Sequence, residues 1–253
     1  MLPYLPEFLG LRIPLYGIMT MLGYLAALLY CLKQRPKIGI SKDELFDIGF
    51  YIVMGAIVGG KLFFIIFNWD AFAASTLIEK LRYGFVFFGG FIGAITTGVI
   101  IAYVKKLPFF KFADFFAPAI ALGHAIGRIG CFCAGCCYGK ISHSFLSVKF
   151  HNPECLVPHH LHDVGLYPTQ LMESAGNFVL FFILLAVFNK KHKEGTVIAS
   201  YVIGYGLIRF IVEFFRGDDR GSYILGLSPS QFIAAALIIL ISAFLIKRNY
   251  GSK

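Results

Sequence analysis

The segment HAIGRIGCFCAGCCYG, residues 124–139, gathers the side chains of this chain that are best suited to chemistry. It contains His124, whose imidazole can take up or release a proton near neutral pH. It also contains Arg128, whose planar guanidinium binds carboxylates and phosphates through paired hydrogen bonds. Four of the six cysteines of the chain lie in the same segment. A metal site, a redox site and an anion-binding site are all compatible with these residue types.

The cysteines of this segment follow the pattern C-x-C-x-x-C-C, which differs from the two well-separated pairs typical of zinc sites. Four interpretations stay open. They are small buried side chains at a glycine-rich turn, a disulfide of Cys155 with Cys136 or Cys137, a functional thiol, and a metal or cluster site shared with nearby histidines. We expect no metal and no cofactor. The cysteines concerned are Cys131, Cys133, Cys136, Cys137 and Cys155.

Apolar elements must position these residues. Of the 253 residues, 58% are hydrophobic and only 15% are charged, and the mean hydropathy is +0.74, which excludes an ordinary soluble domain. Apolar runs of about 20 residues are long enough to cross a bilayer as helices. We predict an all-α integral membrane protein, a single polytopic membrane domain over residues 1–253. Its seven transmembrane helices are expected at 13–32, 45–67, 84–104, 114–133, 170–188, 196–214 and 230–247.

Lysine and arginine set the predicted orientation, because short loops rich in these residues stay in the cytoplasm. They are more numerous after the first, third, fifth and seventh predicted helices than at the opposite helix ends. We therefore predict that the N-terminus is outside and the C-terminus is cytoplasmic, with residues 134–167 as a small extracytoplasmic head segment. The first apolar run lacks a small-residue cleavage site and predicts a retained helix. The net charge of +9 then reflects topology, and we expect no nucleic acid partner.

Ionisable side chains are costly inside hydrocarbon, so those within the predicted helices indicate a polar interior. They concentrate in the outer halves of the helices and share helical faces, since residues three, four and seven apart are neighbours. Arg128 and Arg209 could together bind a phosphodiester such as a phospholipid headgroup. In a purely structural alternative, Arg209 and Glu213 neutralise each other. The three faces comprise His124, Arg128 and Cys131; Gln170, Glu173 and Asn177; and Tyr205, Arg209, Glu213 and Arg216.

Six segments of the chain resemble the prolipoprotein diacylglyceryl transferase family, and together they cover most of its length. The resemblance implies a multi-pass enzyme of the bacterial plasma (inner) membrane. It also implies transfer of the diacylglyceryl group of phosphatidylglycerol to the lipobox cysteine thiol of secreted prolipoproteins, with release of glycerol-1-phosphate. The segments are PLYGIMTMLGYLAAL at 14–28, GAIVGGKLFFIIFN at 55–68, FFGGFIGA at 87–94, GRIGCFCAGCCYG at 127–139, YPTQLMES at 167–174 and IGYGLIRFIVEFFR at 203–216.

Positions that match the family pattern acquire implied roles. Arg128 and Arg209 would hold the phosphatidylglycerol headgroup, and Glu213 would support them. His124 has no counterpart in the family pattern, but an imidazole one helical turn before Arg128 could accept the proton of the acceptor. The expected catalytic residues are thus His124, Arg128, Arg209 and Glu213. The expected substrate-binding residues are Tyr16, Lys61, Gln170, Glu173, Tyr205 and Arg216.

Several positions depart from the family pattern. The most important is Phe88, which stands where the family generally has a histidine proposed to act on the substrate thiol. Two interpretations follow: the activity is retained with another base such as His124, or the chain is a paralogue that uses the same lipid donor on a different thiol or hydroxyl acceptor. The other departures are Cys131 for asparagine, Cys136 for glutamate, Lys61 for arginine and Tyr167 for histidine.

Two further hypotheses come from other functional classes. A non-catalytic lipid-binding or transport protein would also place ionisable groups at one depth in the membrane. A transporter, however, is expected to have polar residues through both leaflets, and the inner halves of the predicted helices are almost wholly apolar. A redox membrane enzyme is suggested by the cysteines alone. The expected partners are therefore phosphatidylglycerol, a secreted prolipoprotein or another thiol or hydroxyl acceptor, and the membrane itself.

Overall fold

The computed structural model describes residues 2–5, 12–74, 76, 79–80, 84–218 and 226–250. Its long helices coincide with the seven predicted apolar runs, and their ends differ from the predicted ends by a few residues. Short 3₁₀ turns cover Arg35–Lys37 and His159–Leu161. The α-helices are α1 (Leu15–Gln34), α2 (Lys42–Phe67), α3 (Trp69–Ala74), α4 (Phe87–Val104), α5 (Phe109–Ala134), α6 (Thr169–Asn189), α7 (Thr196–Glu213) and α8 (Pro229–Tyr250).

The helices have the length and composition of membrane spans. Within the described residues, five segments are apolar enough over enough residues to cross a bilayer: Leu15–Lys37, Lys42–Phe67, Phe109–Ala134, Thr169–Asn189 and Thr196–Glu213. The apolar stretches of α4 and α8, Phe88–Val104 and Pro229–Ala243, are shorter. The predicted class, an all-α integral membrane protein, is confirmed at this level.

A side chain of α5, that of Asp114, binds the backbone at the start of α7. Asp114 of α5 is 1% exposed and accepts hydrogen bonds from the backbone N–H of Gly195 at 2.6 Å and of Ile198 at 2.8 Å. These bonds satisfy two of the donors that a helix leaves unpaired at its start. The predicted start of this span at residue 114 was too late: α5 begins at Phe109, and Asp114 lies inside the helix.

The chain divides into two compact units, of which residues 31–112 form one. In this unit α2 packs against α4 through glycines spaced four apart on each helix. A Cβ added at Gly59 would overlap the carbonyl oxygen of Gly89 and would lie 2.9 Å from the Cα of Gly93. Small residues at this spacing allow two membrane helices to approach at backbone distance.

Residues 1–30 and 113–253 form the other unit. Here α1 approaches α5 closely, since a Cβ at Gly23 would lie 2.8 Å from the carbonyl oxygen of Gly123. Helix α6 contacts α7, and α7 contacts α8. The buried side of α6 changes character along its length: Leu184 is a fully buried apolar residue, whereas the first nine residues bury polar side chains. Those polar residues are Thr169, Gln170, Glu173, Ser174 and Asn177.

The predicted head segment, residues 134–167, has its own small apolar core of Phe150, Cys155, Val157 and Leu166. It is also bound to the ends of two helices. An isolated β-bridge joins Gly139 to Arg216, just beyond α7, and the Gly139 N–H donates to the carbonyl of Tyr167, just before α6, at 3.1 Å. The segment therefore holds the start of α6 and the end of α7 together.

Candidate active site

Glu173 is the centre of the polar interior. Its side chain is 1% exposed, and Oε1 accepts hydrogen bonds from Arg128 Nη2 at 2.9 Å and from the Tyr205 hydroxyl at 3.2 Å. His124 Nε2 lies 3.5 Å from the same oxygen. One carboxylate of α6 thus gathers side chains from α5 and α7, as a buried charge requires.

The imidazole of His124 is held by the guanidinium one turn later in the same helix. Arg128 Nε donates to His124 Nε2 at 3.3 Å. In this hydrogen bond Nε2 is the acceptor, so its lone pair is directed at Arg128. The side chain of His124 is 26% exposed, more than that of Glu173 or Arg128.

Arg216 extends the network beyond the end of α7. Its Nη1 lies 4.0 Å from Glu173 Oε2, and its Nε lies 4.0 Å from Glu213 Oε2. Nε and Nη2 also donate to the two oxygens of Asp218, both at 2.8 Å. Burial raises the pKa of Asp218, and the Arg216 charge opposes that shift. Asp218 was not predicted as a site residue, because a carboxylate two positions beyond an arginine gives no helical spacing signal.

Arg209 forms the far end of the same array. It is paired with Glu213 one turn later, and its Nη2 donates to Ser230 Oγ of α8 at 3.1 Å. The neutralising pair considered from the sequence is therefore present, but it does not stand alone. A continuous array of alternating charges runs from Arg128 through Glu173, Arg216 and Glu213 to Arg209.

Arg128 and Arg209 are the two arginines predicted to bind an anion, and both act on the same two aromatic rings. Arg128 and Arg209 each interact electrostatically with His124 and with Tyr205. The rings of His124 and Tyr205 lie 5.0 Å apart, and Tyr201 stacks parallel to Tyr205 at 5.9 Å. Positive charges from two separate helices, α5 and α7, therefore act on one aromatic pair.

Three buried acceptors on α6 have no hydrogen-bond partner among the described residues. They are Gln170 Oε1, Glu173 Oε2 and Asn177 Oδ1. The side-chain amides of Gln170 and Asn177 each donate one hydrogen bond, to the Cys136 carbonyl at 2.7 Å and to the Glu173 carbonyl at 2.8 Å. Spacings of three and four place the three acceptors on one helical face. This face carries three acceptors that a ligand with hydroxyl donors could satisfy.

The remaining predicted residues divide between the two units. Tyr16 of α1 is 47% exposed and close enough to Arg128 and Cys131 to interact with them electrostatically. Lys61 belongs to α2 in the unit of residues 31–112, where Nζ lies 4.8 Å from the centre of the Phe85 ring. Phe88 belongs to that unit too and is 63% exposed.

Three of the six cysteines form a cluster. No disulfide is present among the described residues, which include all six cysteines, so the bond from Cys155 to Cys136 or Cys137, one of the four interpretations left open by the sequence, is not formed. Cys155 instead packs in the small apolar core of the head segment, with its Sγ 3.5 Å from His162 Nε2. The Sγ atoms of Cys131, Cys136 and Cys137 all lie within 4.8 Å of one another.

Two thiols of this cluster lie beyond the end of α5. Hydrogen bonds from Cys131 and Cys136 lower the pKa of Cys137, and the positive charges of Arg216 and Arg128 lower it further. The hydrogen bond with Cys131 raises the pKa of Cys136.

The family model described as prolipoprotein diacylglyceryl transferase matches residues 3–247. The chain belongs to this family. The phosphatidylglycerol-prolipoprotein diacylglyceryl transferase of Clostridium tetani (strain Massachusetts / E88) is 40% identical over 241 residues, covering 95% of this chain and 95% of the relative. Transferase 2 of Clostridium perfringens (strain 13 / Type A) is 38% identical, covering 93% and 91%. The enzyme of Finegoldia magna is 35% identical, covering 91% and 89%.

Membership of the diacylglyceryl transferase family confirms the resemblance found in the sequence. Three of the segments that carried it meet at Glu173: residues 127–139 contribute Arg128, residues 167–174 contribute Glu173 itself, and residues 203–216 contribute Tyr205. The family segments at 55–68 and 87–94 lie in the unit of residues 31–112.

Proposed function

We propose that the chain is a transferase that moves the diacylglyceryl group of phosphatidylglycerol to the lipobox cysteine thiol of secreted prolipoproteins. The new C–S bond forms at the diacylglyceryl carbon as its C–O bond to the phosphate breaks, and glycerol-1-phosphate leaves with the electron pair. The observation that carries the proposal is the array from Arg128 to Arg209 around Glu173, in a chain 40% identical to a protein named for this reaction.

The two terminal arginines of the array are suited to the leaving phosphate. Its charge grows as the C–O bond breaks, and fixed guanidinium donors in a site with little water oppose that cost. Glu173 and Glu213 keep Arg128 and Arg209 oriented, and each guanidinium has five N–H donors, more than its carboxylate uses. Arg216, which contacts both carboxylates at 4.0 Å, balances their charge.

His124 supplies the base in this proposal. The acceptor thiol must lose its proton to become a nucleophile, and a neutral imidazole with a lone pair can take it. In the described structure Arg128 Nε occupies that lone pair at 3.3 Å. A phosphate that draws the guanidinium away from the imidazole exposes Nε2 to the thiol, so lipid binding and base activation are coupled through one side chain.

The acceptor face of α6 fits the polar end of the lipid donor. The headgroup of phosphatidylglycerol has two hydroxyls, and Gln170 Oε1 and Asn177 Oδ1 are buried acceptors that lack hydrogen-bond partners among the described residues. A site built to bind hydroxyls discriminates strongly against analogues that lack them, because its acceptors then stay unpaired. We propose that this face selects the glycerol headgroup.

The proposed membrane topology places the site on the side of the membrane where its protein substrate arrives. The seven long helices span a bacterial plasma (inner) membrane, with the N-terminus outside and the C-terminus in the cytoplasm. Residues 134–167 then lie on the outer side, where secreted prolipoproteins arrive. The distribution of lysine and arginine along the sequence supports this orientation.

The test is reconstitution of the full chain in phosphatidylglycerol vesicles with a lipobox peptide. We expect the peptide to gain the mass of a diacylglyceryl group and glycerol-1-phosphate to appear in equal amount. Arg128→Lys and Arg209→Lys should each lower turnover by about 100-fold or more, since lysine cannot reproduce the planar fork. The matched control is Arg12→Lys, because Arg12 forms an exposed ion pair with Glu154 and should retain full turnover.

Two results would contradict the proposal in different ways. Release of glycerol-1-phosphate without modification of the peptide would favour a paralogue that uses another thiol or hydroxyl acceptor, the alternative raised by Phe88. Absence of both products from folded protein would leave a lipid-binding protein without catalysis.

A further inference from the structure

Three thiols converge where the head segment begins. Cys131 is in the last turn of α5, and Cys136 and Cys137 lie in the turn that follows. Their Sγ atoms are within 4.8 Å of one another, and the Cys136 thiol also lies 3.7 Å from the Cys131 carbonyl. Cys133, two residues from Cys131, is outside the cluster. The grouping is therefore specific to three of the four neighbouring cysteines.

The backbone is shaped so that these thiols face each other. Gly135 has φ +78°, and Cys137 has φ +61°, a left-handed conformation that is unfavourable for a residue with a β-carbon. The start of α6 holds this turn in place: Thr169 Oγ1 donates to the Cys137 carbonyl and Gln170 Nε2 to the Cys136 carbonyl, both at 2.7 Å. A strained turn with two side-chain tethers is a preorganised arrangement.

We propose that Cys131, Cys136 and Cys137 form a binding site for a thiophilic metal cation such as Zn²⁺ or Cd²⁺. A zinc–sulfur bond is about 2.3 Å long, so three thiolates around one ion lie roughly 3.8–4.0 Å apart. The observed limit of 4.8 Å requires a contraction of less than about 1 Å. Binding replaces the thiol protons, so up to three protons are released for each cation.

The surrounding charges favour the loaded form. Three thiolates and a divalent cation carry a net charge of −1, and two arginines face the cluster. Arg128 Nη1 lies 4.0 Å from Cys131 Sγ, and Arg128 and Arg216 both interact electrostatically with Cys137. Cationic neighbours stabilise the anionic complex, whereas they would repel a cation bound by neutral ligands.

Occupancy would link α5 to α6 more firmly. Cys131 belongs to α5, while the carbonyls of Cys136 and Cys137 are bonded to α6, so a cation shared by the three thiols fastens both helices at one point. This inference is independent of the proposed transfer reaction. It uses the neighbourhood of Arg128 but requires no catalysis.

The test uses the full chain, purified in detergent with reductant and stripped with a chelator. Cd²⁺ is titrated while the ultraviolet thiolate-to-cadmium charge-transfer band is followed, and bound metal is counted by elemental analysis. We expect one Cd²⁺ per chain, displaced by Zn²⁺, and an increase in melting temperature on loading. Cys131→Ser, Cys136→Ser and Cys137→Ser should each weaken binding by about tenfold or more.

Cys133→Ser is the matched control and should bind Cd²⁺ as the wild type does. Metal-free melting curves and gel-filtration profiles identify any variant that fails to fold, and the two remaining single variants then decide the question. Equal Cd²⁺ binding by folded cluster variants would overturn the proposal. So would a disulfide among Cys131, Cys136 and Cys137 in protein isolated without reductant, since an oxidised pair cannot bind the cation.

Discussion

Replacing Glu173 by glutamine tests whether one carboxylate organises the polar interior. The side chain is 1% exposed and accepts bonds from Arg128 and Tyr205, and Arg216 lies 4.0 Å from its second oxygen. Glu173→Gln keeps the shape and one oxygen but leaves two buried guanidinium groups facing a neutral amide. Removing one partner of a buried ion pair costs about 3–5 kcal/mol. Because glutamine retains an acceptor, we expect a loss near 3 kcal/mol.

The measurement is thermal unfolding of the full chain in one detergent, followed by the helical circular dichroism signal. A loss of about 3 kcal/mol in a chain of this size corresponds to a melting temperature roughly 6–12 °C lower. Glu154→Gln makes the same chemical change in an exposed pair with Arg12, which contributes about 0–1 kcal/mol, and should shift the melting temperature by less than about 4 °C. Equal shifts for the two variants would refute the organising role of Glu173.

Three further substitutions test separate features. Gly59→Ala should disrupt the packing of α2 on α4, because its Cβ overlaps the Gly89 carbonyl. The control is Gly49→Ala, which has no atom within 4 Å of the new Cβ and should leave the melting temperature unchanged. Asp114→Ala should lower the melting temperature by roughly 4–8 °C, since it removes two bonds to the start of α7 at about 1 kcal/mol each. Tyr205→Phe removes one donor to Glu173 and should reduce turnover more than stability; a change in melting alone would contradict its place in the site.

Helix positions were predictable from the sequence because hydrocarbon imposes a length requirement that any apolar run reveals. The pair Arg209–Glu213 was predictable as well, since a spacing of four fixes which side chains meet on one helix. The bond between Arg128 and Glu173, 45 residues apart, was not predictable, because it depends on how α5 and α6 are rotated against each other. Periodicity reveals the face a helix uses but not the partner that the face meets.

The thiol cluster shows a second limit of sequence-based prediction. Spacing alone argued against a metal site, because C-x-C-x-x-C-C is unlike two separated pairs. The three Sγ atoms converge only because Cys137 adopts a positive φ, and a non-glycine residue in that conformation gives no reliable sequence signal. The family assignment needed no such detail, since it depended on whole segments.

The hydrogen bond from Arg128 to His124 has a kinetic consequence if the guanidinium must reach the phosphate before the imidazole can accept a proton. The reaction then follows a compulsory order, with the phospholipid bound first and the peptide second. A prolipoprotein that arrives early meets a base that is still blocked, so it dissociates unchanged. Steady-state kinetics would show this order as intersecting double-reciprocal plots for the two substrates. Saturating lipid would abolish inhibition by a dead-end lipid analogue. It would not abolish inhibition by a peptide in which alanine replaces the lipobox cysteine.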